Sequence, residues 1–110
     1  MTFEEYQKQA LVTVMPTGDE FKDLLHWVLG LNGEAGEVAE KLKKIIRDKG
    51  SVVSEEDKQE LAKELGDVLW YIAVFAHDLG VPLDQIAQTN IDKLHSRKER
   101  GVLGGDGDNR

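Results

Sequence analysis

The sequence has no cysteine, which excludes disulfides and every zinc site built on thiolates. Basic residues are in deficit: 14 Lys+Arg stand against 21 Asp+Glu, for a formal net charge of −7. Coating a nucleic-acid polymer needs clustered Lys and Arg, so that role is excluded as a general one, while a metal binder or an ordinary soluble protein fits. Long apolar runs are missing too. The longest, Val68 to Ala76, is about half of the roughly 18 residues needed to span a bilayer, so no membrane helix is expected. The opening MTFEEYQKQ carries acids and amides where a signal peptide shows a basic and then an apolar stretch. Together with the lack of cysteine, this leads us to expect a cytoplasmic protein. No segment alternates with period 2, and there is no internal repeat.

What is present is an apolar share of 40% in 110 residues, too rich for intrinsic disorder and enough for one core. A domain this small buries only about two thirds of its unfolded surface, so without disulfides it calls for a metal or a partner chain. Four helices are expected. Thr2 and Glu5 have capping-box spacing, starting a first helix at Phe3 that Met15-Pro16-Thr17-Gly18 ends. A second helical region runs from near Asp19 to about Asp48. Gly30, Gly33 and Gly36 either break it or admit a close neighbour or ligand. A third has Ser54 as N-cap, acids in its first turn and a Leu79-Gly80 stop. A fourth starts near Pro82 and carries Leu83, Ile86, Ala87, Ile91 and Leu94 on one face. The fold class is therefore all-α, a four-helix bundle over residues 1–100, with a Gly-rich C-terminal tail over 101–110 that is a loop or a flexible end.

Two patterns carry the candidate chemistry. Glu34 and Glu37 on the second helix, and Glu64 and Asp67 on the third, are carboxylate pairs at i, i+3. Each lies beside an apolar stripe: Ala35, Val38, Ala39, Leu42, Ile45 and Ile46 on one helix, and Leu61, Leu65, Val68, Leu69, Ile72, Ala76 and Leu79 among others on the other. Antiparallel packing can bring the four acids together. Such a cluster repels itself unless a cation compensates, and hard oxygen donors without thiolate select Mg²⁺ or Mn²⁺. The alternative is that these acids are solvated helix faces. The third helix is apolar on more than one side, which predicts a second subunit against it unless the first and last helices cover both faces. On the fourth helix Asn90, Lys93, Arg97 and Arg100 share a face suited to phosphate, although basic residues there also suit the helix dipole. Lys44 is a further cation within reach of a phosphate.

The stretch HWVLGLNGEAGEVAEK from His26 to Lys41, the stretch ELGDVLWY from Glu64 to Tyr71, and Asn90 with Lys93-Leu94 and Arg97 resemble the MazG-like nucleotide pyrophosphohydrolases of the all-α NTP pyrophosphatase superfamily. The resemblance covers about residues 3 to 100, and Glu5-Tyr6-Gln7 and the closing GGDGDNR are also similar to short bacterial and phage members. It implies Mg²⁺-dependent hydrolysis of a nucleoside triphosphate to the monophosphate and pyrophosphate. Glu34, Glu37, Glu64 and Asp67 would then be metal ligands, with Glu37 or Glu34 activating water. It further implies Asn90, Lys93 and Arg97 on the substrate, a base stacked on Trp70, Tyr71 or Trp27, and a homodimer or homotetramer that completes the bundle. Two rivals remain at this point: a non-enzymatic helical interaction protein, and a di-iron four-helix protein using Asp23-x-x-His26 and Asp92-x-x-His95.

Overall fold

A computed structural model describes all 110 residues. It is all-helical, with α1 over Phe3–Leu11, α2 over Glu20–Lys49, α3 over Glu55–Asp78 and α4 over Leu83–Glu99. The capping signals act where the sequence places them. The Thr2 hydroxyl accepts from Glu5 N at 3.1 Å while Glu5 Oε2 accepts from Thr2 N at 3.2 Å, and Ser54 and Asp57 repeat the exchange at the start of α3. α1 stops at Leu11, short of the Met15-Pro16 signal, although Val14 still packs on the core.

α2 and α3 pack antiparallel. Trp27 Nε1 donates to Asp78 Oδ2 at 2.6 Å near one end of the pair, Lys41 Nζ lies 3.8 Å from Glu60 Oε2 further along, and Lys49 Nζ lies 2.6 Å from Asp57 Oδ1 at the far end. The Lys49 ammonium, with the hydrogen bonds from Ser54, holds the Asp57 carboxyl down at about 2. α1 lies on another side of α3, and Gln7 ties three helices together: Nε2 donates to the Ala73 carbonyl at 3.0 Å and Oε1 accepts from Leu83 N at 3.1 Å. That second bond caps α4, whose N-cap, Pro82, makes no side-chain cap bond of its own. α2 and α4 make no packing contact.

The glycines of α2 do not break it. An added Cβ at Gly30 would fall 2.2 Å from Tyr71 Cε1, so this glycine admits the tyrosine ring, whereas Gly33 and Gly36 face open space. The ring has little freedom to retreat, being T-shaped against Trp70 (4.9 Å, 88°) and tilted against Trp27 (6.4 Å, 45°). Gly30→Ala should therefore destabilise the protein by about 1–3 kcal/mol, the usual cost of overpacking, despite the better helix propensity of alanine. Urea denaturation at fixed protein concentration measures this, and an unchanged or raised midpoint would contradict it.

The apolar stripe read on α2 is mostly exposed, whereas that on α3 is exposed chiefly at Leu65 and Leu79 and buried at Ala73 and Ala76. Leu42 is 41% exposed, Ile46 65% and Leu65 58%; of the α2 stripe only Ile45 is buried. The seam is formed instead by the strip that carries Trp27, Gly30, Glu34, Lys41, Glu64 and Tyr71. The chain is accordingly open: its radius of gyration is 17.0 Å, against about 13 Å for a compact chain of this length.

Candidate metal centre and basic face

Glu34 on α2 and Glu64 and Asp67 on α3 meet across the seam. Each offers a carboxylate oxygen, and the three oxygens lie within 4.8 Å of one another. Two forces bring them there: the antiparallel register that the flanking ion pairs hold, and the close approach that Gly30 allows one turn before Glu34. Glu37, one turn further on and exposed, lies outside this group although the sequence pairs it with Glu34. Its charge is still felt. The Glu34 carboxyl is pushed above its ordinary range first by burial, then by the charges of Asp67 and Glu64, by a hydrogen bond shared with Glu64, and by Glu37.

Lys41 supplies the nearest positive charge, its Nζ 3.5 Å from Glu64 Oε1 and 3.8 Å from Glu60 Oε2. Sequence reasoning gave it no role, yet it lies on the same helix face as Glu34 and Glu37, seven and four residues on. Tyr6 of α1 also borders the centre: burial, and then the Asp67 charge, raise its hydroxyl above the ordinary value. The donor set fits a small hard cation. Oxygens around one octahedral Mg²⁺ at about 2.1 Å lie about 3 to 4.2 Å apart, so a slight tightening of this trio suffices.

The cations expected on substrate fall in different surroundings. Lys44 is ten residues along α2 from Glu34, about 15 Å, and its Nζ lies 3.8 Å from Glu40 Oε1. Asn90 and Lys93 line one cavity of about 410 Å³ on α4, together with Gln85 and Thr89. Arg97 differs from the expectation: it is 5% exposed and bonded to Asp108, because the C-terminal residues fold over it. Trp70 is half-buried, its Nε1 donating to Thr13 Oγ1 at 2.9 Å and its ring set edge-on to Trp27 at 5.9 Å. Trp27 is buried at 2% exposure.

Asp23, His26, Asp92 and His95 do not gather into a group that could hold a metal, and three of them have other contacts. Asp23 Oδ1 accepts from Thr17 N at 2.9 Å and Thr17 Oγ1 at 2.7 Å, His26 stacks on Trp27 at 4.8 Å, and Asp92 accepts from Gln88 at 2.8 Å. No helix is long and apolar enough to cross a membrane.

Residues 20–102 match the MazG nucleotide pyrophosphohydrolase domain, a span that contains all three clustered acids and the basic face of α4. The whole chain is also similar to the Gene 37 protein of Mycobacterium phage L5, at 46% identity over 114 aligned residues that cover both chains completely. No solved structure matches.

Proposed function

The chain belongs to the MazG nucleotide pyrophosphohydrolase family, and from that premise we propose that it hydrolyses a nucleoside triphosphate, ribo or deoxy, to the monophosphate and pyrophosphate in the cytoplasm. One observation carries this reading: Glu34 of the first carboxylate motif and both acids of the second, far apart in sequence and all inside the matched span, lie together. Glu34, Glu64 and Asp67, with Glu37 beside them, would hold Mg²⁺, or Mn²⁺ in its place. When bound, the ion supplies charge shielding of the triphosphate and stabilises the charge that develops at the α-phosphate.

The remaining steps fall to the protein's own groups. Glu37, outside the three-oxygen cluster, orients the attacking water and takes its proton, with Glu34 as the other carboxylate in reach of that role. The water oxygen bonds to the α-phosphorus, the bond to the α,β-bridging oxygen breaks, and pyrophosphate leaves. Lys93 and Asn90 bind phosphate and sugar, and the exposed part of the Trp70 ring offers the base a stacking surface. Within one chain α4 packs on α1 and α3 but not on α2. A homodimer, or a homotetramer built from it, would cover the apolar side chains that one chain leaves exposed.

Metal removal tests the assignment. Turnover should vanish in EDTA, return with added Mg²⁺, and return in part with Mn²⁺, followed by pyrophosphate release. Turnover that survives chelation would remove the acidic centre from the mechanism.

A further inference from the structure

The ten residues after α4 fold back on it, held by three arginines. Arg110 spends its guanidinium on the loop's own backbone, Nε donating to the carbonyls of Val102 (3.2 Å) and Gly104 (3.1 Å), Nη1 to Gly107 (2.6 Å) and Nη2 to Leu103 (2.9 Å). Gly105 and Gly107 stand at φ 104° and 85°, conformations that other residues adopt only under strain. Arg100 Nη2 donates to the Arg110 carbonyl at 2.9 Å, and Arg97 Nη2 to both the carbonyl and the carboxylate of Asp108. Arg97 Nε, buried, has no partner.

The same Asp108 oxygen accepts from Lys93 Nζ at 2.9 Å. Unlike Arg97, Lys93 stays open to solvent, with a side chain 36% exposed, and it borders the cavity that Asn90 lines. An ammonium carries three protons, so the bond to Asp108 leaves two for a ligand. A carboxylate plug would have to leave Lys93 and Arg97 at every turnover, and this one is tied down by the whole arginine network. A permanent support fits that construction better.

We propose that Asp108 is a positioning residue: it holds Lys93 Nζ at the mouth of the α4 cavity to receive a phosphate oxygen, and Arg97 is the buried anchor of the C-terminal loop rather than a phosphate contact. This rests on the reading of a polyphosphate substrate given above. It gives residues 101–110 a role through Lys93, the one cavity residue they hold.

The test measures binding of inorganic tripolyphosphate to the full chain by calorimetry, beside KM and kcat for the nucleotide. Asp108→Asn should weaken tripolyphosphate binding and raise KM by about tenfold with kcat within about twofold, and Asp108→Glu should recover part of the loss. Lys93→Ala should cost as much, and Lys93→Ala with Asp108→Asn no more than Lys93→Ala alone. Additive losses would overturn the proposal. So would tighter binding by Asp108→Asn, which would make the loop an inhibitory plug. If no nucleotide is hydrolysed but tripolyphosphate binding shows this pattern, the enzymatic reading falls and this one stands. If the wild-type chain fails to bind tripolyphosphate, this one falls whatever the turnover.

Discussion

Glu34→Gln should abolish turnover and at the same time make the metal-free protein harder to unfold. The loss of activity follows from the place of Glu34 among three carboxylates that share one centre. Groups that merely support metal ligands are worth roughly 10–100-fold in metal affinity or activity, so loss of a ligand charge should cost at least about a hundred-fold. The gain in stability follows from the raised titration of this carboxyl. A carboxyl whose folded value lies above its unfolded one favours the folded state while it is protonated. That support is lost as pH rises from the ordinary carboxylate range through the raised value. Above it, the wild-type protein without metal keeps a repelled charge that glutamine lacks. The Tm of the variant in EDTA should therefore exceed that of the wild type by a few degrees at pH 7, and the advantage should vanish near pH 4. Added Mg²⁺ should then raise the wild-type Tm and leave the variant nearly unchanged, since only a ligand bound by the folded state stabilises it. Thermal unfolding with and without Mg²⁺ measures all three. A variant that is less stable at pH 7 in EDTA and still active would remove Glu34 from the centre.

Leu65→Asp should convert an oligomer into inactive monomers. The chain exposes 7984 Å², against about 6,100 Å² for a compact monomer of 12.3 kDa. The excess, roughly 1,900 Å², exceeds the roughly 800 Å² that each partner buries in a standard interface. Large apolar side chains lie exposed on both long helices: Leu42 and Ile46 sit a turn apart on α2, and Leu65 and Leu79 lie on α3. A two-fold axis would place each substitution twice in one interface, burying two unpaired carboxylates. Light scattering should show the wild type at twice or four times 12.3 kDa and the variant at the single mass, with Tm lower by more than about 10 °C. A monomeric, active wild type would contradict this, and so would an oligomer indifferent to Leu65→Asp.

The helices were legible because their ends are written locally. Thr2 with Glu5, Ser54 with Asp57, and Gly50 at φ 59° each act within a few residues of themselves. Of the four acids that the sequence singles out, Glu34, Glu64 and Asp67 cluster and Glu37 does not; the cluster was legible because i, i+3 spacing sets a helix face and two such faces can meet. What periodicity alone does not tell is which face meets which. The apolar stripe of α2 is mostly exposed, and the strip with Glu34 and Lys41 takes the α3 contact. Gln7 was illegible for another reason. It satisfies a carbonyl 66 residues away and an amide 76 residues away, and a lone glutamine in a helix announces neither. For residues 101–110 the glycines left a loop and a flexible end both open, and what decides for the loop is Arg110, which gathers the carbonyls of Gly104 and Gly107.

The central claim is that this chain cleaves a nucleoside triphosphate between the α- and β-phosphates. Incubating the purified protein with Mg²⁺ and a panel of ribo- and deoxynucleoside triphosphates, and resolving the products by phosphorus NMR, tests it most directly. Equal amounts of nucleoside monophosphate and pyrophosphate are expected from at least one nucleotide, and neither from Glu34→Gln. Orthophosphate with nucleoside diphosphate, or no product from any nucleotide, would contradict it.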